Sequence, residues 1–217
     1  RSALAYTSTL NAYYNVAVGA YAGDAIYGGD YNVCLGYNTE TSHHSTSVGG
    51  QAGIGSGNYS ISIGYRAVYS GTNASTYNTV VGYEAGYDLD GGDYNAFIGH
   101  QSGYNGGTGS YNTGLGKNAI DNCTTGSNNT AVGRNALTSI TTGDDGTALG
   151  FEALKASTTG VANVGVGCSA ATALTTGGQI TAVGYHAGKA ITTGSRHTIF
   201  GAYAARSITT ADDTTAV

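Results

Sequence analysis

Residues Asn129–Ala136 read N-T-A-V-G-R-N-A, and the rest of the chain is built from copies of this stretch. The glycine, Gly133, recurs as Gly19, Gly36, Gly49, Gly64, Gly82, Gly99, Gly116, Gly150, Gly167, Gly184 and Gly201. Its intervals are 17, 13, 15 and 18, and then 17 without a break. A fixed period sustained along a chain marks an array in which each copy is one coil stacked on the next. The period therefore predicts an all-β, parallel β-solenoid (a β-roll) of about 13 coils. Residues 1–105 form irregular, Tyr-rich coils and residues 106–217 form regular 17-residue coils.

Positions are counted from the landmark glycine as 0. Position −1 is apolar in every copy, from Val18 to Val217, and position −3 is β-branched in all but Ala96. Such residues at a spacing of two describe a short strand. The expectation is that −1 and −3 face inward. The residue between them then faces out, and it is mostly small: Ala17, Ser47, Gly114, Ala131, Ala148, Gly165, Ala182 and Ala216. A small outward face suits close lateral packing of another chain.

Position −4 is Asn at Asn15, Asn32, Asn78, Asn95, Asn112, Asn129 and Asn163. Position −5 is Tyr at Tyr14, Tyr31, Tyr59, Tyr77, Tyr94 and Tyr111. Stacking at the strand spacing of about 4.8 Å turns both columns into ladders, with amide bonds along the Asn column and ring stacking along the Tyr column. The ladders have a purely stabilising reading. The Tyr column has a second one, as a strip that docks a sugar or a partner. Tyr59, Tyr77, Tyr94 and Tyr111, with Tyr65 and Tyr83 at position +1, are the candidate recognition residues. Of the 18 tyrosines only Tyr185 and Tyr203 lie beyond Tyr111.

A glycine at a constant coil position marks a positive φ or a close backbone approach. Gly82, Gly99, Gly116, Gly133, Gly150, Gly167, Gly184 and Gly201 form that structural ladder in the regular coils. Ala recurs at +3, Leu or Ile (or Gly) at +4, and Ile or Leu at +7. This half of the coil fits a helical turn or an extended segment, and the extended reading is preferred because five residues make no stable helix. The coil closes on T-T-G, as in Thr141-Thr142-Gly143, where the Gly suits a turn with positive φ. An outward Thr ladder on a solenoid also raises a minor reading as an ice-binding surface.

The chemistry of the chain is sparse. Charged residues are 10% of the total, the net charge is −5, and there is no basic stripe to meet nucleic acid. No apolar run approaches the 18 or so residues of a membrane span. The paired carboxylates Asp144-Asp145 and Asp212-Asp213 read as turn caps, with a calcium site as the alternative. His43-His44 lacks the company of a metal site. No phosphate loop and no nucleophile elbow occurs. No catalytic, cofactor or metal residue is assigned. Cys34, Cys123 and Cys168 occupy different coil positions, so stacking does not pair them, and they read as small buried side chains.

N-T-A-V-G-R-N-A-L, with its variants N-T-V-V-G-Y-E-A-G and I-T-A-V-G-Y-H-A-G, resembles the head repeats of YadA-like trimeric autotransporter adhesins. It is similar also to repeats of phage tail fibres and bacterial surface fibres. The resemblance implies a left-handed β-roll, three chains side by side, and an extracellular setting on a cell-surface appendage or virion fibre. The function so expected is that of a structural fibre segment with no enzymatic activity. The alternative is an adhesin whose Tyr-rich first half meets a glycan or host surface. The partners expected are further copies of the chain, in a homotrimer or an end-to-end filament. Both ends fall within a repeat: Arg1-Ser2-Ala3-Leu4 matches the residues after a landmark glycine, and Thr214–Val217 those before one. The expectation is a piece of a longer array.

Overall fold

The computed structural model describes residues 13–24, 26, 29–71 and 75–217. It is all-β, a parallel β-solenoid with a period of about 17 residues. The chain divides into two compact units, Arg1–Thr108 and Gly109–Val217. Among the described residues of the first unit the strands are β1 (Val16–Val18), β2 (Val33–Leu35), β3 (Thr46–Val48), β4 (Ile61–Ile63), β5 (Thr79–Val81) and β6 (Ala96–Ile98). The second unit holds β7 (Thr113–Leu115), β8 (Thr130–Val132), β9 (Thr147–Leu149), β10 (Val164–Val166), β11 (Thr181–Val183), β12 (Thr198–Phe200) and β13 (Thr215–Ala216).

Within each unit every strand pairs in parallel with the next in sequence, and position −3 always meets position −3. The pairing Val33↔Thr46↔Ile61↔Thr79 crosses the coils of 13, 15 and 18 residues without a slip. Length differences are taken up in the turns, where an insertion costs little.

The strands are turned the opposite way from the sequence expectation. The middle residue, position −2, points inward: Val80, Phe97, Ala131, Ala148, Ala182 and Ile199 are fully buried. Positions −3 and −1 are exposed or half-buried, as in β9, where Leu149 is 48% exposed. The reason is the narrow lumen. A three-residue strand has room for one inward side chain, and that side chain shares the interior with +3, +4 and +7. Ala136, Leu137 and Ile140 are those three residues in one coil, and all are buried.

The second half of the coil is a run of turns, neither helix nor extended strand. Ala136 N–H donates to Gly133 O (3.4 Å) and Ile140 N–H to Leu137 O (3.3 Å), each closing a turn. Between these bonds Asn135 and Leu137 adopt the left-handed conformation (φ 58° and 49°). That twist sends their N–H groups along the stack. Asn135 donates to Lys117 O in the preceding coil (3.0 Å) and Leu137 to Ala153 O in the following one (3.1 Å). The turns thus keep their polar backbone paired without a second sheet.

The two recurrent glycines have different causes. Gly133 sits at φ 133°, and a Cβ there would lie 2.5 Å from Gly150 O, so both the conformation and the close approach require Gly. Gly143 of T-T-G is not at positive φ, contrary to expectation. It is Gly because an added Cβ would fall 2.5 Å from Gly160 O in the next coil.

The Asn column bonds mainly to backbone. Asn129 Nδ2 donates to Gly143 O (2.9 Å), and its Oδ1 accepts from Gly146 N–H (2.8 Å). Asn112 and Asn163 make the same donation to Gly126 O and Gly177 O. An amide-to-amide bond also runs from Asn129 Nδ2 to Asn112 Oδ1 (3.2 Å). These bonds tie the corner of one coil to the next, which is a stabilising role.

Candidate functional surfaces

Two surfaces stand out once the strands are oriented. The first is the outward face of the strands. In the second unit it presents a Thr-rich column at −3 (Thr113, Thr130, Thr147, Thr181, Thr198) beside an apolar one at −1 (Leu115, Val132, Leu149, Val166, Val183, Phe200). Leu115 is 46% and Phe200 44% exposed. The sequence reading placed the −1 side chains in the core and so missed this face. The signal that reveals it is the Ala, Leu and Ile set at +3, +4 and +7, which already fills the lumen.

The second surface is aromatic and lies in the first unit. Tyr14, Tyr31, His44, Tyr59, Tyr77 and Tyr94 all hold position −5 at φ 53–59°. An identical backbone at every rung aims every ring the same way, so the rings stack. Their centroids are 4.8 Å apart for Tyr14–Tyr31, 5.0 Å for Tyr31–His44 and 5.1 Å for His44–Tyr59. Tyr59–Tyr77 continues the stack at 5.0 Å and Tyr77–Tyr94 at 4.8 Å, with the last two pairs parallel to within 5° and 1°.

A second stack runs through Tyr65, Tyr83 and His100 at +1, and a third through Tyr69, Tyr87 and Tyr104 at +5. Arg66 lies between these two. Its guanidinium carbon is 5.0 Å from the Tyr65 ring centre and 4.8 Å from that of Tyr69, and its Nε donates to Gln51 Oε1 (3.0 Å). The charge of Glu84 beside Tyr83 pushes that phenol above its ordinary range.

Of the six candidate tyrosines, Tyr59, Tyr77 and Tyr94 belong to one stack and Tyr65 and Tyr83 to another. Tyr111 is exposed in the second unit, where the next rung of its column is Asn128. The stacking limits what the rings can bind. A sugar packs on the face of an aromatic ring, but the faces of Tyr59 and Tyr77 lie against their neighbours. Such a rung offers its edge and its hydroxyl.

The first Thr of each T-T-G is committed to the coil stack. Thr141 Oγ1 donates to Thr158 O (3.1 Å), Thr158 to Thr175 O (3.2 Å) and Thr175 to Thr192 O (2.9 Å). The acidic pairs serve the stack too: Asp144 Oδ1 accepts from Ser127 N–H and Asp212 Oδ1 from Ser195 N–H, both at 2.7 Å. His43 Nδ1 accepts from Asp30 N–H (3.4 Å), while His44 is a rung of the aromatic stack. Among the described residues no three His, Cys, Asp or Glu gather as metal ligands, and no helix is long and apolar enough to cross a membrane.

The cysteines are free thiols. Cys34 and Cys123 are buried, and burial raises both thiols, that of Cys123 to about 12. Cys168 is half-buried. No family model, curated protein or solved structure matches the chain.

Proposed function

We propose that this chain is a non-enzymatic structural segment of a fibre on an extracellular or virion appendage, in which copies associate side by side through the outward face of the strands. The observation that carries the reading is the exposed apolar column at −1. Parallel strands are ordinarily covered on both faces. In each unit the coil's own turns cover the inner face, and the outer face still presents apolar side chains, Val18, Ile63 and Ile98 in the first unit and Leu115, Leu149 and Phe200 in the second. A regular row of this kind suits an identical row on another copy. The resemblance to adhesin and fibre repeats supports three chains per assembly.

Light scattering of the purified chain tests this. A mass of three chains is expected. Replacing Leu115, Leu149 and Phe200 together by Thr, a good strand former, should lower the mass towards one chain while leaving the β circular dichroism unchanged. A wild-type chain that stays monomeric at every concentration overturns the reading.

The adhesin reading retains one supporting observation, the lines of half-exposed tyrosine edges and hydroxyls in the first unit. Substituting Tyr65 and Tyr83 by Ser should abolish glycan or cell binding if those edges make the contact. Binding unaffected by the double change removes that reading and leaves the fibre segment intact.

A further inference from the structure

We propose that the tyrosine stack at position −5 of the first unit is a site of oxidative cross-linking, at which neighbouring rungs join through dityrosine bonds that tie consecutive coils together. The co-reactant is a one-electron oxidant of the haem peroxidase class with hydrogen peroxide.

Three features support the site. Phenols couple through their ortho carbons, so two must be adjacent when both are radicals. Tyr59–Tyr77 and Tyr77–Tyr94 hold their ring centres 5.0 and 4.8 Å apart, and Tyr14–Tyr31 is also at 4.8 Å. The rings are accessible to an oxidant: Tyr77 is 47% exposed, Tyr59 and Tyr94 each 49%, and Tyr14 74%. The ring torsion of tyrosine is broad, so a rotation about χ2 turns a stacked pair until two ortho carbons meet edge to edge. The strands beneath are held in register, so the partners remain neighbours throughout.

The chemistry balances. Each of two phenols gives up one electron and one proton to form a phenoxyl radical. The two radicals join by one new carbon–carbon bond between ortho positions. The hydrogen on each joined carbon then moves to its oxygen and restores the phenol. The two electrons and two protons reduce one hydrogen peroxide to two waters.

His44 gives the site a pattern that random oxidation lacks. It occupies the rung between Tyr31 and Tyr59, at 5.0 and 5.1 Å, and so keeps those tyrosines apart. Links are expected for 14–31, 59–77 and 77–94, and none for 31–59. The stack at +1 is wider and less parallel (Tyr65–Tyr83, 5.6 Å and 24°). Tyr87–Tyr104 is as close at 4.9 Å but less exposed.

The test treats the dilute native chain with a haem peroxidase and hydrogen peroxide. Dityrosine fluorescence should appear while the chain keeps its single-chain mass on a denaturing gel. Digestion and fragment-ion sequencing should find Tyr59 joined to Tyr77 and Tyr77 to Tyr94, each link lighter by two hydrogens. Proximity in the stack should make the yield roughly tenfold or more that of the urea-unfolded chain at equal concentration. Tyr77→Phe keeps the ring in the stack but has no phenol. It should remove both links and leave 14–31, with circular dichroism unchanged. Links found only between chains, links scattered over tyrosines that are not stacked, or Tyr59 and Tyr94 cross-linked in Tyr77→Phe as fully as in the unchanged chain each overturn the proposal.

Discussion

A methyl group added at Gly103 would sit 2.6 Å from Phe97 Cε2 and closer still to Cδ2 and Cγ of the same ring. Gly103 is the +4 residue and Phe97 the −2 residue of one coil. The two positions share one volume. Ala131 and Ala148 at −2 go with Leu137 and Leu154 at +4, Phe97 goes with Gly103, and beside Ala182 the space at Gly188 is taken by Ile199 and Ile191. Gly165 shows the same exchange between coils, since its added Cβ would meet Leu154 Cγ at 2.8 Å. In these coils positions −2 and +4 are filled in a complementary way, above the column of small residues at +3.

Gly103→Ala should therefore destabilise the first unit. The change overpacks against Phe97 and places a side chain at φ 63°, together about 2–3 kcal/mol. Phe97→Ala alone opens a cavity. The double change should cost less than the sum of the two, because the methyl group then enters the space the ring has left. Urea denaturation of the three variants measures this, and strict additivity would refute the shared volume.

His197→Asn should stabilise the second unit. His197 stands in the Asn column, fully buried. Its Nδ1 accepts from Thr214 N–H (3.2 Å), and its Nε2 has no partner. Asn163, in the equivalent place, accepts from Ile180 N–H (3.0 Å) and donates to Gly177 O (2.8 Å). An Asn at 197 has Ala211 O as the matching acceptor. The expected gain is about 1 kcal/mol, seen as a rise in Tm of a few degrees.

Ala162→Gly should also stabilise. Ala162 is exposed and is held at φ 57°, the corner conformation of position −5. An L side chain in that region costs on the order of 1 kcal/mol that Gly avoids. The same change at an extended residue such as Thr147 should destabilise. Midpoints of urea denaturation separate the two signs.

The thiols should label in two classes. Cys168 should react with a thiol reagent in the native protein, and Cys34 and Cys123 only after unfolding. The Cys123 thiol has a folded value of about 12 against an ordinary 9.0. Its protonated form is therefore favoured by folding, and that contribution is complete below pH 9. It declines as pH rises from 9 towards 12, because the unfolded chain gives up its proton first. Replacing Cys123 by Ala should flatten the fall in stability over that window.

Much of the architecture was legible in the residues. The recurrence of Gly133 and its equivalents placed the coils, and T-A-V before the glycine placed each strand to the residue. The Asn and Tyr columns announced ladders, because identical side chains at a constant coil position must stack once the coils do. The turns of the second half were hidden. Leu137 and Ile120 sit in the left-handed conformation there (φ 49° and 52°), and nothing in the side chain of Leu or Ile signals it. The need arises from backbone N–H groups that must reach coils above and below.

By itself the sequence determined the period, the register and the strand positions of this protein, since these depend on which residue types recur and how far apart. Which face of each strand looks inward was decided only by the tertiary structure. Alternation places Thr130 and Val132 on the side opposite Ala131, but it is symmetric between inside and outside. The narrow lumen breaks that symmetry: Leu137 and Ile140 occupy it, and one small residue per strand completes it. For that reason Ala131 is buried, and the apolar column of Leu115, Leu149 and Phe200 faces outward.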